Sequence, residues 1–177
     1  MSQDQHISLL RYGGKQEEHY RSQLLSFRLP AEQEQFTGLP EETLQDLRED
    51  SGKAGVIIAH EERAVGFFIL HTGEGISNFY PDHTGAVLLR AFLMDYASQG
   101  RGFAKAAMLL LPDFVRRHYP EARQIVLAVN ERNTAASQLY LRAGFQDHGL
   151  RRSGTKGTQL ILQYGLSAEP VEVSADV

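Results

Sequence analysis

An α+β domain built on a central, mostly antiparallel sheet is the fold class this sequence predicts. Three observations point to it. Gly55 to His60 and Ala64 to His71 are β-branched or aromatic-rich and separated only by Glu61-Glu62-Arg63, a hairpin pattern. Val87 to Met94 is apolar throughout except for Arg90, as in a central strand buried on both faces, and a glycine turn and a helical pattern follow it. Phe145 to Arg152 and Thr158 to Tyr164 alternate apolar and polar residues, which gives a closing antiparallel pair.

The remaining elements follow in order. Ile7 to Tyr12 is a short apolar-rich first strand ended by Gly13-Gly14. From Gln16 to Phe27, Tyr20, Leu24 and Phe27 fall at helical spacing. A second helix starts at Pro40, with Glu41 and Glu42 at its positive end, Leu44 and Leu47 on its buried face, and Ser51-Gly52 stopping it. Thr72 to Gly85 is a long loop holding Gly73, Gly75, Asn78, Pro81, Asp82 and Gly85.

Helical spacing resumes with Phe103, Ala107, Leu110 and Phe114, and Pro112 predicts a kink there or a break one residue before. Gln124 to Val129 is a further strand. Asn133 or Thr134 caps a helix whose apolar face is Ala136, Leu139, Tyr140 and Ala143, and Gly144 stops it. The expected order is β-α-α-β-β-β-α-β-α-β-β, with a right-handed parallel crossover from Val87 to Val129. Residues 1–166 form one domain in this reading, and 167–177 a loose acidic tail with Pro170.

Composition narrows the function. The chain has 177 residues and a formal net charge of −4, which argues against a nucleic-acid partner held by bulk electrostatics. It has no cysteine, which excludes disulfides, thiolate metal sites and a cysteine nucleophile. The seven histidines show no ligand spacing, so no metal is expected. No apolar run approaches the roughly 18 residues of a membrane span. The N-terminus lacks a basic region and an apolar signal core, so the expected location is cytoplasmic.

The chemistry concentrates between Met94 and Phe103. There a buried strand runs through Gln99-Gly100-Arg101-Gly102 into a helix. The first N–H groups of a helix lack intrahelical partners, and the dipole adds positive charge. Glycines at 100 and 102 let backbone approach a ligand closely, so the turn suits phosphate oxygens. Lys105 stands where the third glycine of a dinucleotide fingerprint belongs, and no Gly-Lys-Ser/Thr follows, so neither that motif nor a Walker A loop fits.

Gln99-x-x-Gly102-x-Ala104 resembles the Gln/Arg-x-x-Gly-x-Gly/Ala signature of the GCN5-related N-acetyltransferase (GNAT) superfamily. Leu127 to Phe145 is similar to that family's second conserved block, with an asparagine at 133, Leu139-Tyr140 seven residues on, and Gly144-Phe145 after the helix. The resemblance spans roughly residues 55 to 165.

The resemblance implies acetyl-CoA as co-substrate and no metal. It implies a splay between the strand ending at Met94 and the strand ending near Val129, with the pantetheine arm pairing with the backbone of Phe92, Leu93 and Met94. The backbone of Gly100, Arg101, Gly102, Phe103, Ala104 and Lys105 would wrap the pyrophosphate, behind Gln99. Asn133 would hydrogen-bond the arm, a role compatible with capping the helix. Tyr140 would sit near the thioester sulfur as general acid; the alternative is a core tyrosine, since it shares a face with Ala136 and Leu139. An amine attacking the thioester directly needs no protein nucleophile. A backbone N–H at Leu93 or Met94 would stabilise the developing oxyanion.

Arg151-Arg152 and Lys156 read as an exposed hairpin, with contact to a coenzyme phosphate as the alternative. Many protein-acetylating members carry a glutamate base where this chain has Ala128. That leaves the base unassigned among Glu61, Glu62, Glu74, Asp82, His83 and water. Between Ala31 and Asp50 lie seven acidic residues and one basic residue, Arg48. An acidic rim of this kind suits a small or cationic amine such as a polyamine, against the alternative of a solvated helix face. A peptide or protein amino group, or a non-catalytic acyl-CoA-binding role, are the competing functions. The expected partner is a small-molecule or peptide amine, with a homodimer as a further candidate.

Overall fold

The computed structural model describes residues 6–166, so the tail expected at 167–177 lies outside the described residues. Seven strands form one sheet in the order β1-β2-β3-β4-β5-β7-β6. They are β1 (Ile7–Arg11), β2 (Lys53–His60), β3 (Arg63–His71), β4 (Ala86–Met94), β5 (Gln124–Asn130), β6 (Gln146–Gly154) and β7 (Gly157–Gly165). The helices are α1 (Glu17–Leu25), α2 (Ala31–Glu34), α3 (Pro40–Glu49), α4 (Phe103–His118) and α5 (Thr134–Arg142). Every paired interface is antiparallel except β4–β5.

Strand alternation divides the core between the two faces of the sheet. Val56, Ile58, Phe68 and Leu70 join Met108 and Leu111 of α4 on one side. Ile57, Phe67 and Ile69 join Tyr20 and Leu24 of α1 on the other. Phe67 and Phe68 are both fully buried, one on each face, which fixes the register of β3.

Two expectations change, and of the kink or break expected at Pro112 the break does not occur. The short helix α2 adds a fifth helix, with no buried residue of its own. Helix α4 runs through Pro112 without a break. Its proline is buried beside Leu111, Phe114 and Val115, and this packing holds the helix where one backbone hydrogen bond is missing. Leu111 rather than Leu110 completes the buried face of α4: Leu110 is 39% exposed and Leu111 is 0% exposed.

Two features of β4 prepare the site. It pairs with β5 only from Ala86 to Leu89 against Gln124 to Leu127. Against β3 its register shifts between Ile69↔Arg90 and Phe67↔Leu93, so Ala91 and Phe92 together oppose Phe68. This is a β-bulge, and Ala91 takes a left-handed φ of 52°. A non-glycine residue there costs on the order of 1 kcal/mol. The bulge bends β4 away from β5 at the point where their pairing ends.

Candidate functional site

Beyond Leu89 and Leu127 the two parallel strands part, and a cleft of about 1100 Å³ opens between them. Phe92, Leu93 and Met94 form one wall and Ala128, Val129 and Asn130 the other. The N-terminus of α4 and the face of α5 bearing Asn133 and Tyr140 close one side, and α2 and the β6–β7 turn close the opposite side.

The glycine turn takes the conformation its sequence requires. Gly100 has φ 75° and Gly102 has φ 81°. Gly102 is the N-cap of α4, and no side chain caps that helix. Gly100, Gly102, Phe103 and Ala104 contribute to the cleft wall. Arg101 and Lys105 have exposed side chains, and Arg101 lies over the Phe103 ring at 4.6 Å. The backbone of this turn, more than its charges, faces the cleft.

Gln99 has a different setting. Its Nε2 donates to the Met94 carbonyl at 3.0 Å and to Gln33 Oε1 at 2.7 Å, while Gln33 Nε2 donates back to Gln99 Oε1 at 3.0 Å. This reciprocal amide pair ties α2 to the end of β4. On the other side of the cleft, Lys156 Nζ donates to the Gln35 carbonyl at 2.7 Å. The C-terminal half of α2 is thus fastened to the end of β4 through Gln33 and to the β6–β7 turn through Gln35. Glu32, Glu34 and Glu42 stand on its rim.

Asn133 caps α5, its side chain accepting the Ala136 N–H at 3.3 Å, and it lines the cleft as well. Tyr140 is 7% exposed, with its ring edge-on to Phe92 at 6.1 Å and to Phe145 at 5.9 Å. Burial pushes its phenol well above the ordinary value. The residue is therefore a core tyrosine that also lines the cleft. The Met94 N–H has a direction too. Asp95 N–H donates to Val65 of β3 at 2.9 Å, so alternation turns the Met94 N–H away from β3 and towards the splay.

None of Glu61, Glu62, Glu74, Asp82 and His83 lines the cleft. Glu61 and Glu62 make the tight β2–β3 turn with φ 49° and 69°, and Asp82 is paired with Arg123 at 3.0 Å. Ala128 does line it and brings no carboxylate. The basic hairpin also divides: Arg151 is paired with Asp147 at 2.8 Å in solvent, whereas Arg152 is half-buried over Phe79 at 4.0 Å. Among the described residues no group of His, Cys, Asp and Glu side chains is placed to hold a metal ion, and no helix is long and apolar enough to cross a membrane.

A buried polar chain lies at the start of the splay, and only the interruption of the apolar run by Arg90 signalled it. Arg90 Nη1 donates to His71 Nδ1 at 3.0 Å, and His71 Nε2 faces Asp50 Oδ2 at 3.2 Å. Burial lowers the His71 pKa below its ordinary 6.5, the Arg90 charge lowers it further, and the Asp50 carboxylate partly offsets both. As pH falls, the unfolded chain takes up the imidazole proton first. The stabilisation is therefore complete above 6.5 and is lost as pH falls through the lower value of the folded state. The denaturant midpoint is expected to fall between about pH 7 and about pH 5, and to fall less in His71→Gln. Equal slopes for the two proteins would show that His71 does not carry the effect.

The sequence model of the Acetyltransferase (GNAT) family matches residues 18–145. The uncharacterized N-acetyltransferase YbbJ of Bacillus subtilis (strain 168) is 40% identical over 144 residues, covering 81% of this chain and 90% of that protein. Aminoglycoside acetyltransferase AAC(6')-Ib, solved with coenzyme A, superposes with a TM-score of 0.70 at 18% identity, over 90% of this chain and 94% of that one. A spermidine N-acetyltransferase SpeG chimera from Vibrio cholerae and hSSAT gives a TM-score of 0.63 at 15% identity, over 91% and 96% of the two chains.

Proposed function

Because the chain belongs to the GNAT family and is an acetyl-CoA-dependent N-acetyltransferase, we propose that it acetylates the primary amine of a small molecule in the cleft between β4 and β5. The observation that carries this reading is the junction of the splay with the uncapped, glycine-bearing start of α4. The fit to the coenzyme rests on the same features. Free N–H groups at Gly102 to Ala104 suit a pyrophosphate, the strand edge from Phe92 to Met94 suits an amide-bearing arm, and about 1100 Å³ holds both.

Acetyl-CoA supplies a thioester carbonyl for attack by the amine. The Met94 N–H, turned into the splay, donates to the carbonyl oxygen as negative charge develops there. Asn133 holds the arm while capping α5. Water takes one proton from the arriving ammonium to free its lone pair and a second as the amide forms, while Tyr140, kept protonated by burial, donates its phenolic proton as the C–S bond breaks and recovers one from solvent. The thiolate leaves into the same apolar surroundings, which raise its own proton affinity and favour the transfer. Glu32, Glu34 and Glu42 on the rim favour an amine that arrives as a cation, of which a polyamine is one example.

Purified protein with acetyl-CoA and a panel of small amines is expected to release free coenzyme A with at least one of them. No release with any amine and no binding of acetyl-CoA would overturn the proposal.

A further inference from the structure

Arg90 is the one charge in β4, and it sits one residue past the last β4–β5 pair, at the apex of the splay. Alternation places it on the same face as Ala86 and Leu88, which pack with Phe79 and Tyr80. Its guanidinium stacks on the Phe79 ring at 5.0 Å, and Arg152 of β6 stacks on the same ring at 4.0 Å. Arg90 also lines the cleft.

Two half-buried guanidinium groups therefore share one aromatic ring. Among the described residues neither is ion-paired: Arg90 bonds His71, and Arg152 Nη1 donates to Gln159 Oε1 at 2.8 Å. Burial disfavours the Arg90 cation most, the Asp46 carboxylate offsets part of this, and the Arg152 charge adds a smaller cost that Asp50 in turn opposes. Like charges brought out of water without a carboxylate are costly. Arg152 does not itself line the cleft, so an oxyanion there would relieve the cost at Arg90 through charge-assisted hydrogen bonds, with Arg152 adding positive charge from the same ring.

The coenzyme's own phosphates belong elsewhere. The turn that suits them follows Met94, and four residues, roughly 13 Å of strand, separate Met94 from Arg90. The anion must arrive on the acceptor.

We propose that the acceptor carries an oxyanion beside its amine, and that Arg90 binds this group while Arg152 adds positive charge behind it. The inference rests on the transferase reading above and narrows it. The acceptor is then dipolar, its ammonium end suited to the acidic rim and its anionic end to Arg90 at the apex. A polyamine has no group for the apex and would place a second cation there. A carboxylate and a phosphate monoester share the required chemistry, and the test separates them.

The experiment measures kcat/KM for acetyl transfer to matched amines of equal chain length: an amino acid, its carboxamide, the corresponding aminoalkyl phosphate, and a diamine. The wild-type protein is expected to prefer one of the two anionic acceptors over the carboxamide by about 100-fold, mostly in KM. Which of them is preferred identifies the oxyanion. In Arg90→Gln that preference is expected to fall to within about threefold, and in Arg152→Gln to fall by a smaller factor. Because the preference is a ratio within one preparation, partial unfolding of a variant does not alter it. Equal or better use of the carboxamide or diamine by the wild type would overturn the inference while leaving the transferase reading intact. Retention of the preference in Arg90→Gln would also overturn it. Absence of turnover with every amine would overturn the transferase reading and this one with it.

Discussion

Tyr140→Phe is expected to lower kcat by about 100-fold while leaving acetyl-CoA affinity within about twofold of wild type. The asymmetry follows from what the side chain does. Its ring fills space against Phe92 and Phe145, and phenylalanine keeps that volume. Among the described residues nothing accepts or donates a hydrogen bond at the hydroxyl, so its removal orphans no protein group. Folding stability should therefore hold, and a melting curve checks this. What the variant would lose under the proposed mechanism is the proton donor for the departing thiolate. Burial raises the phenol's pKa, so Tyr140 stays protonated throughout the working range. The wild-type rate should accordingly show no alkaline decline from this group up to about pH 10. An unchanged kcat in the variant would assign the proton to water or to another side chain.

The parts of this molecule that were legible in its sequence are those written in local patterns. The hairpin of β2 and β3, the run of β4 and the glycines of the α4 turn each carry their signal within about ten residues. Asn133 could be placed as a cap because capping is a local hydrogen bond. Helix α2 had no such signal. Its four residues bury nothing, and it is positioned by Gln33 bonding Gln99 and by Lys156 bonding Gln35, across 66 and 121 residues of chain. The bulge at Ala91 was equally silent, since no glycine marks it and the surrounding sheet imposes its φ. Leu109, Leu110 and Leu111 are identical in chemistry, and only tertiary packing selects Leu111 for the core. The candidate bases failed for a related reason: they were taken from turns, and turns do not declare which side of the sheet they reach. Arg90 was visible as an interruption, but its meaning depends on His71, Phe79 and Arg152, which come from three other parts of the chain.

Gly102→Val is expected to raise KM for acetyl-CoA by at least about tenfold, equivalent to roughly 1.4 kcal/mol of lost binding. Gly102 holds φ 81° and ψ 8° as the N-cap of α4, a left-handed conformation that a β-branched residue disfavours strongly. The helix gains no compensation there, because no side chain caps it. Relaxing the strain means rotating the peptide units whose N–H groups face the cleft, and those groups cannot then converge on a pyrophosphate. Strain lowers stability whether or not the coenzyme is affected, and a matched control separates the two effects. Gly149 on β6 has φ 90°, has open space at its Cβ position and does not line the cleft. Gly149→Val should lower the melting temperature to a similar degree and leave KM for acetyl-CoA within about twofold. Equal KM values in the two variants would mean that the turn's conformation serves the fold alone and that the coenzyme is held by the strand edge of β4.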